Sequence, residues 1–211
     1  ALSIASHAAG ATLQKFNGFR FSVFPSQGGR APELDRLDTL MILGRFIGRI
    51  HAVGAQNIYR ERPTIGLAGF GTDALAYLHE CADIPKDIGP AYFAAAKLLL
   101  EGVARCYEQA GQPAMLRLHG DCHLGNVLWT ESGARSGPHF LDLDDSRTGP
   151  AIQDLWMLLS GTRLEMQNQL CDILSGYEDF YDFNTKELIL IEALRSLRLL
   201  HYSAWLAQRW D

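Results

Sequence analysis

The side chains most able to do chemistry lie in "LRLHGDCHLGNVLW", residues 116–129, where an apolar run opens into a polar cluster and closes on Val-Leu-Trp. Three chemistries compete for it. His119, Cys122 and His123 are all zinc-ligand types, but they crowd into one short stretch with no second ligand pair elsewhere, whereas zinc sites draw ligands from separated segments. Cys122 would be a nucleophile only if a base activated its thiol. His123 is adjacent in sequence, and neighbours on an extended loop point apart, so a lone small hydrophobe is the plainer reading of the cysteine. The third chemistry uses Asp121, Asn126 and Asp142 for phosphoryl transfer. One carboxylate accepts the proton of an attacking hydroxyl, while an amide oxygen and a second carboxylate hold Mg²⁺ across nucleotide phosphates. Asp142 ends the next apolar run, "HFLDLDD", and a hairpin folds Asn126 and Asp142 back toward each other.

His119-Gly120-Asp121, four residues and then Asn126 has the spacing of the protein-kinase catalytic loop. "HGDCHLGN" followed by "FLDLDD" resembles the aminoglycoside phosphotransferase/choline kinase family, whose members share the protein-kinase-like fold. The likeness extends through "FRFSVFPSQGGR", "LGRFIGRIH" and "DLDDSRTGPAIQDLWMLLSG" to a last helix ending near Trp210. It implies that Asp121 is the catalytic base, that Asp142 is catalytic and binds Mg²⁺, and that Asn126 is a further metal ligand. Leu128 would line the floor of the adenine pocket, and Phe24, Pro25 and Ser26 would form the hinge that holds adenine. His119 would orient the loop and Asp154 would brace it. ATP is the implied co-substrate and a protein Ser/Thr hydroxyl, in a stress-response role, the implied acceptor. A small amino alcohol, aminoglycoside or sugar is the alternative, because either acceptor presents the same hydroxyl to the hairpin. A non-catalytic nucleotide-binding or interaction module is a second alternative.

Several neighbours carry two readings. Asp142 and Asp144 would share a strand face by period two, so either could reach a metal, with the family pattern favouring Asp142, and Asp145 would shape the turn. Arg60, Arg62 and Arg147 are phosphate- or carboxylate-binding types, with ordinary surface charge as the simpler account of each. His51, on an apolar helix face, reads as a hydrogen-bonded core histidine. Tyr202, Trp205 and Trp210 read as core or lobe-packing aromatics.

The elements that must position these residues follow from pattern. "TLQKF" and "FRFSVF" flank Asn17-Gly18, a type I′ hairpin signal, with Phe19, Phe21 and Val23 alternating as on a half-buried strand. Leu37, Leu40, Leu43, Ile47 and Ile50 predict a helix over 33–53, in which Gly44 and Gly48 allow another backbone close. Residues 56–73 read as a loop. Further helices are predicted over 90–109, 152–159, 164–181 and 185–208, the last capped by Asn184 with Glu187 three residues on. "MLRL", "NVLW" and "HFLDLDD" are the other strands. The fold class is therefore α+β: a mostly helical C lobe with a catalytic β-hairpin and a hinge-strand remnant of an N lobe.

The 211 residues, 47% hydrophobic and 20% charged, describe a globular chain rather than a disordered one. A net charge of −5 without any Lys/Arg block argues against nucleic acid as partner. No apolar run approaches the roughly 20 residues that span a bilayer, and "ALSIASHAAGATLQKF" lacks the basic start and apolar core of a signal peptide. Cys81, Cys106, Cys122 and Cys171 form no CxxC pair. A cytoplasmic monomer with free thiols is expected. A kinase of this fold also needs a phosphate-covering loop and a nucleotide-contacting Lys, yet the only early lysine, Lys15, comes just before the hinge. Residues 1–30 are thus expected to be the end of an incomplete N lobe and 31–211 a C lobe cut short at its C-terminus, a piece whose activity alone is open.

Overall fold

The computed structural model describes residues 13–24, 26–34, 36, 38–81, 84–131, 133 and 136–209; Thr12, Pro25, Leu37 and Trp210 lie outside them. A short hairpin opens the described chain, β1 (Gln14–Phe16) paired with β2 (Phe19–Phe21) around Asn17 and Gly18, both at positive φ as a type I′ turn requires. The expected buried face is absent: Phe16, Phe19, Phe21 and Val23 are all exposed.

Helix α1 (Thr39–Gly54) begins six residues later than its periodicity predicts. Asp38 sits in the left-handed region at φ 66°, which breaks the helical path before it. From Thr39 onward the pattern holds, with Leu40, Leu43, Ile47 and His51 buried. The predicted close approach is made by α5 (Arg163–Tyr177). A Cβ on Gly44 or Gly48 would collide with the main-chain oxygen of Ile173 or Tyr177, and one on Gly176 with that of Met41. The glycines thereby let Tyr177 reach His51.

The predicted loop 56–73 contains a π-helical turn, Leu67–Thr72, that runs into an unforeseen helix, α2 (Asp73–Glu80). Helix α3 (Gly89–Ala110) has Pro90 in its first turn and stops at Gly111, φ 71°. Then β3 (Met115–Leu118) leads into the polar cluster, and β4 (Val127–Thr130) pairs antiparallel with β5 (Gly137–Phe140) as expected. Strand β3 pairs instead with β6 (Arg147–Pro150), a strand the sequence did not announce, Leu118 opposite Arg147. Residues 119–146 are therefore enclosed by one short ladder.

Short helix α4 (Ile152–Trp156) precedes α5, and a 3₁₀ segment Thr185–Leu190 precedes α6 (Ile191–Ala207). Asn184 caps the 3₁₀ segment through Lys186 N, but Glu187 forms no capping box. Its buried carboxylate accepts instead from Ile152 N (3.1 Å) at the start of α4. The core joins these parts: Leu43, Ile47, Leu116, Leu118, Val127, Phe140, Ile152, Leu155, Ile173, Leu194 and Leu197 form one buried cluster. Each such side chain contributes about 1.5–3 kcal/mol relative to exposure. Among the described residues no helix is long and apolar enough to cross a membrane.

Candidate active site

Residues 119–126 leave β3 as a tight loop whose main chain is held from beneath. Asp154, 1% exposed on α4, accepts His119 N and Gly120 N (both 2.8 Å) and faces His51 Nε2 (3.0 Å), while His51 Nδ1 meets Tyr177 Oη at 2.8 Å. Burial alone would raise the Asp154 pKa; the hydrogen bond and positive field of His51, the His119 ring and the Gly120 N–H outweigh it and hold the carboxyl below its usual range. His51 is thus a hydrogen-bonded core histidine. His119 turns its Nε2 to Leu141 O (2.7 Å), joining the loop to the strand that precedes Asp142.

Gly120 makes the next step possible. It adopts φ 86°, and a Cβ there would run into the carbonyl of Asp145. The loop and the turn after β5 therefore touch backbone to backbone. Beyond Gly120, Asn126 Nδ2 donates to Asp121 O (3.0 Å) and lies 3.4 Å from its carboxylate Oδ2. Leu141 N donates to Asn126 O (2.9 Å), so the residue before Asp142 is bonded directly to Asn126. Asp121, Asn126 and Asp142 are gathered at one end of the β3–β6 ladder.

Asp142 lies two residues past the end of β5 in the left-handed conformation, φ 57°, and Leu143–Asp145 form a 3₁₀ turn. This corrects the expectation that Asp142 and Asp144 share a strand face: the strand stops before both. A non-glycine at positive φ stores strain, and such strain gathers at functional turns. Arg62, read from sequence as plain surface charge, holds this turn by donating to Asp144 O (2.6 Å) and Ser146 O (3.0 Å). Arg147 pairs with Asp145 (2.8 Å) and lies over the Phe70 ring.

The rival chemistries lose their geometry. Cys122 is buried, and burial, then the carboxylates of Asp154 and Asp121, push its thiol well above its ordinary value, which keeps it protonated and inert. Among the described residues no three His, Cys, Asp or Glu side chains are placed to hold a metal together. An Mg²⁺ held by two protein oxygens and by phosphates needs no such cage, and the hard oxygen donors of Asn126 and Asp142 suit it.

Around Leu128, Arg30 and Trp129 exchange main-chain hydrogen bonds (3.1 and 2.7 Å), Gln27 reaches Thr130 Oγ1, and Gly29 packs against Leu128. The segment after the expected hinge thus lies along β4. Phe24 and Ser26 are exposed.

A profile of the phosphotransferase enzyme family matches residues 3–199. The chain belongs to that family. It is 45% identical over 201 residues to stress response kinase A of Escherichia coli O157:H7 and, equally, to the serine/threonine protein kinase RdoA of Salmonella typhimurium, covering 95% of this chain and 59% of each relative. The chain therefore spans about three fifths of the length of these relatives. Among solved structures it resembles the amicoumacin kinase hAmiN in complex with AMP-PNP, Ca²⁺ and Ami (TM-score 0.69, 18% identity, all of this chain and 65% of that one). A microcompartment-associated aminopropanol kinase is similar (TM-score 0.65, 19% identity, all of this chain and 68% of that one). The fold of this chain is thus that of these kinase structures.

One residue at this loop had no prior notice in the sequence. Arg198, on α6, brings its guanidinium 2.7 Å from Asp121 Oδ1, an ion pair whose angles fall outside hydrogen-bond directions. His123 Nε2 lies 3.4 Å from the other oxygen. The helix reads as apolar packing in sequence, and Arg198 becomes visible only once its angular position relative to the buried Leu194, Leu197 and Leu200 is drawn. The same projection corrects the expectation for Tyr202 and Trp205, which are substantially exposed rather than in the core.

Proposed function

We propose that the full-length protein transfers the γ-phosphoryl group of Mg-ATP to Ser or Thr hydroxyls of proteins, with Asp121 as the base. The observation that carries the reading is the loop itself: Asp121 and Asn126 in mutual contact on a main chain braced by Asp154, with Asn126 bonded to the residue preceding Asp142. The acceptor hydroxyl donates to Asp121. As its oxygen bonds to the γ-phosphorus, its proton passes to that carboxylate, and the bond from phosphorus to the bridging oxygen breaks to release ADP. Asn126 and Asp142 would hold Mg²⁺, which neutralises charge on the phosphates. Leu128, with the Gln27–Arg30 segment beside it, would form the adenine side, and Phe24–Ser26 the hinge. The name of one relative at 45% identity, a serine/threonine protein kinase, favours protein as acceptor.

The test is Asp121→Asn in the full-length protein. Phosphoryl transfer to protein should fall by about 10²–10⁴-fold while Mg-ATP affinity, measured by titration, stays within a few-fold. Normal turnover by the variant would remove Asp121 from the base role. Rapid turnover of an amino alcohol or sugar, with none on protein, would refute the acceptor class.

A further inference from the structure

The base is not free in this structure. Arg198 stands against one oxygen of Asp121, and the other faces Asn126 and His123. An acceptor hydroxyl can engage the carboxylate only if the guanidinium moves onto another anion.

Arg198 also begins a stripe. Tyr202, Trp205 and Arg209 follow at helical spacings of four, three and four residues, along and just past the end of α6. Tyr202 and Trp205 are exposed at 55% and 38% and stack on each other (centroids 5.7 Å apart, 11° between planes). The Arg209 guanidinium lies 4.2 Å from the Trp205 ring centre. The two ends of this stripe are about 16 Å apart at the α-helical rise.

The charge along it is one-sided. The chain as a whole is acidic at −5, yet no Asp or Glu occurs in 193–209, which hold Arg195, Arg198, His201 and Arg209. His201, stacked on Phe70 beside the stripe, is pushed below its usual value by burial and then by the positive charge of Arg147, which the nearby Asp145 only partly offsets.

The cavity at the head of the stripe is small. It measures about 170 Å³ and is lined by Asp121, Arg147, Arg198, His201, Tyr202 and Trp205, among others. Pockets that enclose a whole drug-sized ligand run to about 300–1,000 Å³. This one suits a single side chain reaching in from a longer chain.

We propose that the Arg198–Tyr202–Trp205–Arg209 face of α6 is the docking track for an extended acceptor polypeptide that carries an acidic residue beside the phosphorylated Ser or Thr. The inference rests on the protein-kinase reading above. An acidic side chain next to the acceptor takes Arg198 from Asp121 and frees the base. An apolar or aromatic residue lies on the Tyr202–Trp205 pair, and a second acidic residue meets Arg209. At about 3.3 Å per extended residue that second acid falls about five residues beyond the first, and so about six from the acceptor. Arginine forks match carboxylates bidentately, and aromatic faces supply contact area at low entropic cost, so the two residue types suit this task together.

The experiment compares matched Ser peptides in the full-length enzyme: one with acids adjacent to and about six residues from the serine and a Phe between, one with Lys in place of both acids, and one scrambled. The acidic peptide should have at least tenfold higher kcat/KM than the lysine peptide. Arg209→Glu should raise its KM several-fold, far more than it lowers kcat, and should reverse the preference at the outer position when the peptide carries Lys there. Tyr202→Ala should act likewise on the Phe-containing peptide. Equal use of all three peptides, or variants without effect on KM, would overturn the track while leaving the protein-kinase reading intact. Variants that lower thermal stability but not peptide affinity would mean that the rest of the full-length chain covers α6, and would also overturn it. Turnover of small alcohols without any peptide phosphorylation would fell both readings.

Discussion

Replacing Asp154 by Asn tests how the loop is held. In the native carboxylate Oδ1 accepts Gly120 N, and Oδ2 accepts His119 N and faces His51 Nε2, all in the buried interior. An amide has one acceptor oxygen. In its better orientation that oxygen keeps His119 N and His51, and the new NH₂ faces the Gly120 N–H, leaving a buried donor against a donor. An orphaned buried N–H costs about 1–3 kcal/mol, and the two surviving bonds lose the charge that roughly doubles such interactions. The sum is a loss of about 2–4 kcal/mol, or about 5–15 °C in Tm for a unit of this size. Displacement of Asp121 by as little as an ångström should lower kcat by about 10²-fold. The direction of the native shift adds a pH signature. Because folding depresses the Asp154 pKa, its stabilisation is fully present above the unfolded value of about 3.9 and is lost as pH falls through the folded value. The Asn variant should therefore differ most from wild type at neutral pH and converge with it in acid. Thermal unfolding from pH 2 to 7 with parallel kcat measurements checks both. A variant with native Tm and native kcat at pH 7 would refute the bracing.

Gly120→Ala forces an L-residue to φ 86° and drives its Cβ toward the Asp145 carbonyl; transfer should fall by about 10²-fold with nucleotide affinity largely kept, as steady-state kinetics and nucleotide titration would report. Glu187→Gln keeps an acceptor for Ile152 N, so unfolding free energy in urea at pH 7 should stay within about 1 kcal/mol of wild type, whereas Glu187→Ala should lose about 1–3 kcal/mol. Burial raises the Glu187 pKa, so its own contribution is fullest below the unfolded value of about 4.3 and declines as pH rises through the folded one; the Gln variant should accordingly fare relatively better at pH 7 than at pH 4.

The readable parts of the fold are those set by local chemistry. The Gly44/Gly48 spacing marks a close helix contact whatever the partner, and Asn17-Gly18 marks a turn. The cluster at 119–126 and the strand pair 127–130 with 137–140 are contiguous, so their pairing is short-range. The misses have the opposite character. Strand β6 exists because β3 needs a partner 32 residues away in register, Met115 opposite Pro150 at one end and Leu118 opposite Arg147 at the other. Helix α2 is short and follows Gly-rich sequence that breaks any long period. Asp142 leaves the β region for φ 57°, which period-two counting cannot anticipate. Glu187 caps a different helix from the one its spacing implies, because α4 presents an unpaired Ile152 N–H in the core. Arg62 and Arg198 look like surface charge until the segments they bridge come together.

The β3–β6 ladder has a consequence for how the site comes into being. Everything from His119 to Ser146 is a closed excursion between Leu118 and Arg147, and closing it costs entropy once, at that ladder. The loop bearing Asp121 and the turn bearing Asp142 share this gate. They should gain and lose amide-exchange protection as one unit, so that partial opening removes the Asp121 loop and the Asp142 turn together.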